Sequence, residues 1–290
     1  MADNGNHPGM KAVEVRKRTP GSGPILVLAI LFVAATCMAW YFSWFGRELS
    51  DADISKYLSD EKNPRHVQHA LLQIQQRIES GDASARTWYP QLLTLSENRE
   101  TEFRLTVAWL MGFDNSSAEF HQALLRLLQD QEPIVRRNAA LALVRFGDSS
   151  GREEILLILK PYVVKAPAGG TIESTMQEGA IVARRALLAR ITQADGSALQ
   201  LRSPLAGKVK QTIKAIGSQV TQGDDLLTLN SDEQSVREAL RALAIVGRPE
   251  DLSLVQSFAN SDEAAQVKAQ ADLTARAISF RSTQKDGVQK

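Results

Sequence analysis

Cysteine is almost absent from this chain of 290 residues, and a lone Cys37 excludes both an internal disulfide framework and a metal centre built on paired thiolates. Charge of one sign is missing as well: 34 Lys and Arg stand against 33 Asp and Glu, and a net +1 leaves no bulk attraction for nucleic acid. No phosphate-cradling loop occurs, because Gly169-Gly170 and Gly21-Ser22-Gly23 lack the spacing and the following Lys-Ser/Thr of such loops. Histidines number four. His66 and His69 lie three apart, a spacing that puts two imidazoles on one helix face, but no third metal ligand accompanies them. His121 has no Ser or Cys nucleophile context, and Asp224-Asp225 read as solvated turn carboxylates. With no catalytic, cofactor-binding or metal-binding set to name, the chain reads as a non-enzymatic protein.

One long apolar run is present. From Pro24 to Phe45 no charged residue appears, and 22 residues at ~1.5 Å each reach across a hydrocarbon core of about 30 Å, which predicts a transmembrane helix over 24–45. Trp40, Tyr41 and Trp44 at its far end suit a membrane interface, and Lys11, Arg16, Lys17 and Arg18 before it favour a cytoplasmic N-terminus. Residues 1–23 read as a disordered basic cytoplasmic tail. The run is too long, and its exit too bulky, for a cleaved signal peptide. Ala34-Ala35-Thr36 is a poor match to a lipoprotein cleavage site before Cys37, which reads as a small buried apolar residue. The expected location is a single pass through the inner membrane with residues 46–290 periplasmic.

Residues 46–161 carry helical repeats. Val135-Arg136-Arg137 with Ala139, Ala142 and Leu143 and a stop at Gly147 has apolar residues at helical spacing, Asp130 as a cap and Pro133 in the first turn. The register returns 100 residues later in Ala239, Ala242, Leu243 and Gly247. Weaker copies begin at Val67, Phe103 and Val267, with second helices at 118–128 and 152–159, so each unit is a helix pair. These helix pairs resemble HEAT repeats, and Val135 through Gly147 carries the likeness most fully. The resemblance implies an α-α superhelical solenoid that binds partners along a concave face built from the second helices.

Between the repeats, residues 162–230 change character. Pro167 and Pro204, Gly170 and Gly207, and Ile172 and Val209 share an offset of 37, which becomes 38 at Gly179/Gly217 and Val182/Val220. Glycine turns between β-branched strands, in two matched halves joined by the hairpin signal Asp195-Gly196, predict a pseudo-twofold β module with Ile172 and Val209 in one small core. Arg185 replaces the glycine that stands at 223 in the second half, so the first half's turn is expected to drift. The pattern resembles the biotinyl/lipoyl-like fold, the small all-β barrel-sandwich hybrid of carrier domains and of membrane fusion proteins of the HlyD type. Carriers of that family hold biotin or lipoate on a lysine at the hairpin tip. Here the tip, Thr192 to Ala198, has no lysine, so no covalent biotin or lipoate is expected. Lys208 and Lys210 share one strand face, with Lys214 nearby, and form the candidate partner-binding strip.

Ser231 and Gln234 read as a capping box that restarts the helical repeats over 231–280, with helices at 233–246, 249–259 and 262–279 and a disordered tail at 281–290. The expected fold class is α+β: a transmembrane helix and a HEAT-like solenoid with an inserted barrel-sandwich hybrid. The expected function is a membrane-anchored adaptor holding protein partners in the cell envelope, in a transport or export complex. The alternative is an enzyme accessory or carrier, of the acyl or carboxyl carrier type or similar to a bilin lyase.

Overall fold

A computed structural model describes residues 22–44 and 48–288, with side chains described over 26–38 and 48–284. The chain divides into two units, 1–49 and 50–290. The tail expected over 1–23 falls almost wholly outside the described residues, and the side chains of the aromatic belt do so entirely.

In the first unit the apolar run forms helix α1 (Ser22–Trp44). Its described side chains, 26–38, are all exposed, including Cys37, which was expected to be buried. Among the described residues no helix is long and apolar enough to cross a membrane. The transmembrane helix, the single-pass inner-membrane location and the periplasmic placement are corrected accordingly, and the envelope setting of the partners, which rested on them, goes with them.

The second unit opens with helices α2 (Asp51–Leu58), α3 (Pro64–Glu79), α4 (Tyr89–Leu95), α5 (Thr101–Met111), α6 (Ala118–Leu127), α7 (Pro133–Arg145) and α8 (Arg152–Ile158). The helices are held by small and apolar residues at helical spacing: Val67, Ala70 and Ile74 in α3, Phe103 and Val107 in α5, and Val135, Ala139 and Leu143 in α7 are all at most 1% exposed. First helices pack in series, α3 on α5 and α5 on α7, while α6 and α8 pack against α7.

Pro161 ends the first run, and eight strands follow: β1 (Tyr162–Lys165), β2 (Gly170–Thr175), β3 (Ile181–Val182), β4 (Leu187–Thr192), β5 (Ala198–Arg202), β6 (Gly207–Thr212), β7 (Gln219–Val220) and β8 (Asp225–Ser231). They make two antiparallel sheets, ordered β1-β8-β6-β3 and β5-β4-β2-β7. Replacing each strand by its partner in the other half converts one order into the other, so the internal symmetry read from the offsets is present in three dimensions. Even the irregularities match: the β2–β4 register slips between Ile172 and Ser174, and the β6–β8 register slips between Val209 and Gln211. Each glycine at the start of β2 and β6 meets a carbonyl of its neighbour, Gly170 that of Thr192 and Gly207 that of Asn230, too closely for a Cβ. The expected barrel-sandwich hybrid is corrected to a sandwich, because the strand ladders run only within each sheet, no barrel closes, and β1, β3, β5 and β7 remain edges. The core is likewise double. Ile172 packs with Ala166, Ile191, Val220 and Leu226, whereas Val209 packs with Val164, Val182, Leu188, Leu227 and Leu229, and Leu201 touches both groups.

Helices α9 (Glu233–Val246), α10 (Leu252–Ala259) and α11 (Ala265–Val288) complete the chain. α9 packs on α7 and α8 as the next pair of the same array, so the β module is an insertion that leaves the stacking uninterrupted. A buried ion pair joins the two sides of the insertion: Arg152 Nε donates to Asp251 Oδ2 at 2.9 Å, and both residues are under 10% exposed. The N-cap of α9 is Asp232, which accepts from the Ser235 N–H at 2.9 Å, rather than the Ser231 expected. Asp130 likewise accepts from Glu132 N–H at 2.9 Å and from Arg104 Nε at 2.6 Å instead of capping α7. The tail expected to be frayed continues α11, where Arg281 Nη2 donates to the Gly247 carbonyl at 2.9 Å and closes the end of α9.

Candidate functional site

A cluster of three charged side chains joins the β module to α5. Glu102 lies in the first turn of α5, where a carboxylate also complements the helix dipole. Arg184 Nη2 donates to its Oε2 at 2.6 Å, and Arg185 Nη2 stands 2.8 Å from its Oε1. Arg184 and Glu102 are each about a quarter exposed, and Arg185 is mostly exposed.

Arg185 holds this place at a conformational cost. Its φ is 67°, in the left-handed region, beside 91° for its counterpart Gly223. The turn has not drifted: Arg185 N–H donates to Ser203 O at 2.7 Å as Gly223 N–H donates to Ala166 O at 2.8 Å. A non-glycine residue in this region costs about 1–2 kcal/mol. The module therefore keeps the turn and places an arginine pair where it reaches the array.

Cavities open on both sides of the joint, sharing Arg184. One, of about 460 Å³, lies beside β1, Arg185 and Arg202. The other, of about 420 Å³, is lined by Thr106 and Trp109 of α5, Ile134, Arg137 and Asn138 of α7, and Ala206 of the module. Trp109 is 41% exposed, whereas Arg137 is 6% exposed. Burial pulls the Arg137 guanidinium below the ordinary arginine pKa, against the opposing pull of Glu154. The nearby carboxylates are committed elsewhere: Glu154 accepts from Arg136 Nε at 2.6 Å, and Asp232 accepts from Ser235. Among the described residues none accepts a hydrogen bond from Arg137. Sequence reasoning passed over Arg137, Arg184, Glu102 and Trp109; the adjacent Arg136-Arg137 was the available signal, since two neighbouring side chains on a helix cannot face the same partner.

The sequence-derived strip is only partly assembled. Lys208 and Lys210 stand exposed on one face of β6, with the 85% exposed Ile181 paired to Lys208 across the sheet. Lys214 is drawn off to Asp224, 3.7 Å away, and Asp225 is taken by Lys165 at 2.6 Å. His66 stacks on Tyr57 and meets Asp60 at 2.7 Å, while His69 turns to Gln73. His121 contacts Asp148 at 2.7 Å in the turn before α8.

The HEAT repeat family matches residues 122–150. That span covers the second half of α6, all of α7 and the turns on either side of α7, the part of the array that carries Arg137. No curated protein matches the chain. Among solved structures the chain is similar to one described as "Structure and function of a single-chain, multi-domain long-chain acyl-coa carboxylase", at 23% identity and a TM-score of 0.24, over 26% of this chain and 8% of that one.

Proposed function

We propose that this protein is a non-enzymatic docking scaffold, in which a HEAT-like array and an inserted biotinyl/lipoyl-like module together grip a protein partner. The carrying observation is the pair of cavities flanking the Glu102–Arg184 joint, lined by apolar side chains and arginines from both parts of the chain. The HEAT repeat match supports a role in protein binding. The module is read as unmodified, because its hairpin tip from Thr192 to Ala198 offers no lysine for an attached arm and is closed by Ser197 N–H to Asp195 Oδ1 at 2.8 Å. Lys208 and Lys210 provide a second contact surface on the outer face of β6.

Site-specific photo-crosslinking tests this reading. A crosslinker at Trp109 should yield discrete adducts that are missing when it is placed at Gln76, on the exposed side of α3. Equal adducts at both positions, or none at Trp109, would count against docking in the cleft.

A further inference from the structure

The docking reading leaves open what chemistry the cleft selects, and Arg137 answers that. An arginine remains charged in a protein and carries five N–H donors in a planar fork. Burying such a group without acceptors is costly, and proteins ordinarily pair it. Its neighbour Arg136 shows what satisfaction looks like here: Nε on Glu154 at 2.6 Å, Nη1 on the Asp130 carbonyl at 2.9 Å. Arg137 is more deeply buried than Arg136, lines the 420 Å³ cavity, and has no such partner among the described residues. The guanidinium nitrogens stay open to the cavity, the side from which an acceptor would reach them.

The rest of the lining says what kind of molecule brings it. Asn138 donates to the Leu105 carbonyl at 3.1 Å and leaves its own amide oxygen uncommitted by any described hydrogen bond, which suits a backbone N–H. Trp109 and Ile134 offer apolar surface beside the cation. The cavity volume of about 420 Å³ far exceeds what a small inorganic anion fills and lies within the range of sites that enclose drug-sized ligands.

Building on the docking reading, we propose that the cleft binds an acidic peptide segment of the partner, with an Asp or Glu carboxylate forked on Arg137 and an adjacent apolar side chain against Trp109 and Ile134. Carboxylate and guanidinium match in the two-point geometry that favours Arg over Lys.

The test titrates the full chain with the blocked peptide acetyl-Ala-Leu-Asp-Leu-Ala-amide, its Asn counterpart, and acetate, following the arginine Nε–Hε resonance assigned to Arg137 by its loss in Arg137→Met. The expected result is a saturable shift with the Asp peptide, at least tenfold weaker binding of the Asn peptide, and no saturation by acetate at the same concentrations. Arg137→Met should abolish peptide binding while its melting temperature stays equal or rises, since an unpartnered buried charge has been removed. Equal binding of the Asp and Asn peptides, or none by either, would overturn the proposal in favour of a guanidinium solvated by water alone. A marked fall in the melting temperature of Arg137→Met would overturn it too, by making Arg137 structural. Crosslinks at Trp109 that persist in Arg137→Met would leave docking standing and overturn only the carboxylate anchor.

Discussion

Arg184 and Glu102 meet at 2.6 Å although 82 residues separate them, and this contact fixes an inserted β module to a helix that precedes it. An insertion that only looped out of the array would need no such bond. The ion pair is partly shielded, and its removal leaves Arg184 and Arg185 facing each other without their shared acceptor.

Glu102→Ala should therefore cost about 2 kcal/mol, within the range for a hydrogen bond to a charged group. The loss should concentrate at the joint. Hydrogen exchange should accelerate in residues 181–187 and 203–207 while α9 and α11 keep their protection. Uniform acceleration through the second unit would mean that the contact serves general stability and not docking.

The two halves of the module have separate cores, which changes how paired core mutations should behave. Ile172→Ala and Val209→Ala each remove a side chain that is 1% exposed, and each should cost about 2–4 kcal/mol. Because they lie in different clusters joined through Leu201, the double mutant should be additive within about 0.5 kcal/mol. A larger coupling energy, from denaturant melts of the four proteins, would show one shared core.

Much of this fold was legible because its signals are local. Asp195-Gly196 turns the chain wherever it is placed, and the offsets of 37 and 38 recur as matching sheet orders because each half contains its own strands and turns. What the sequence hid depends on neighbours far along the chain. Arg185 looked like a broken turn because residue preference favours glycine there, yet the Ser203 and Ala186 carbonyl and amide contacts impose the geometry on an arginine. Ser231 and Asp232 both suit a cap; Ser231 is drawn into β8 by pairing with Gly207, which leaves Asp232 to do it. Arg136 and Arg137 are indistinguishable in sequence, and only the position of α8 and of the module decides which is satisfied. The apolar run of α1 showed helix readily but overstated what crosses a membrane.

Acid should act on the array through its turn aspartates. Burial alone would raise the Asp130 pKa, but the Arg104 hydrogen bond and the Glu132 N–H outweigh it and hold the group below its ordinary value. A depressed folded pKa contributes stability above the unfolded value of about 3.9, and that contribution fades as pH falls through the folded value. Asp130→Asn should thus melt below the wild type at neutral pH, and the gap should narrow as the pH is taken below about 4. A gap that stays constant through the acid range would mean that the Asp130 charge contributes nothing.

The docking claim is tested most directly by hydrogen–deuterium exchange on the full chain with and without the partner recovered by crosslinking at Trp109. Slowed exchange in 101–109, 133–138 and 203–207, and little change elsewhere, is the expected result. Protection confined to the second helices at 118–127 and 152–158, or to the hairpin tip at 192–198, would contradict it.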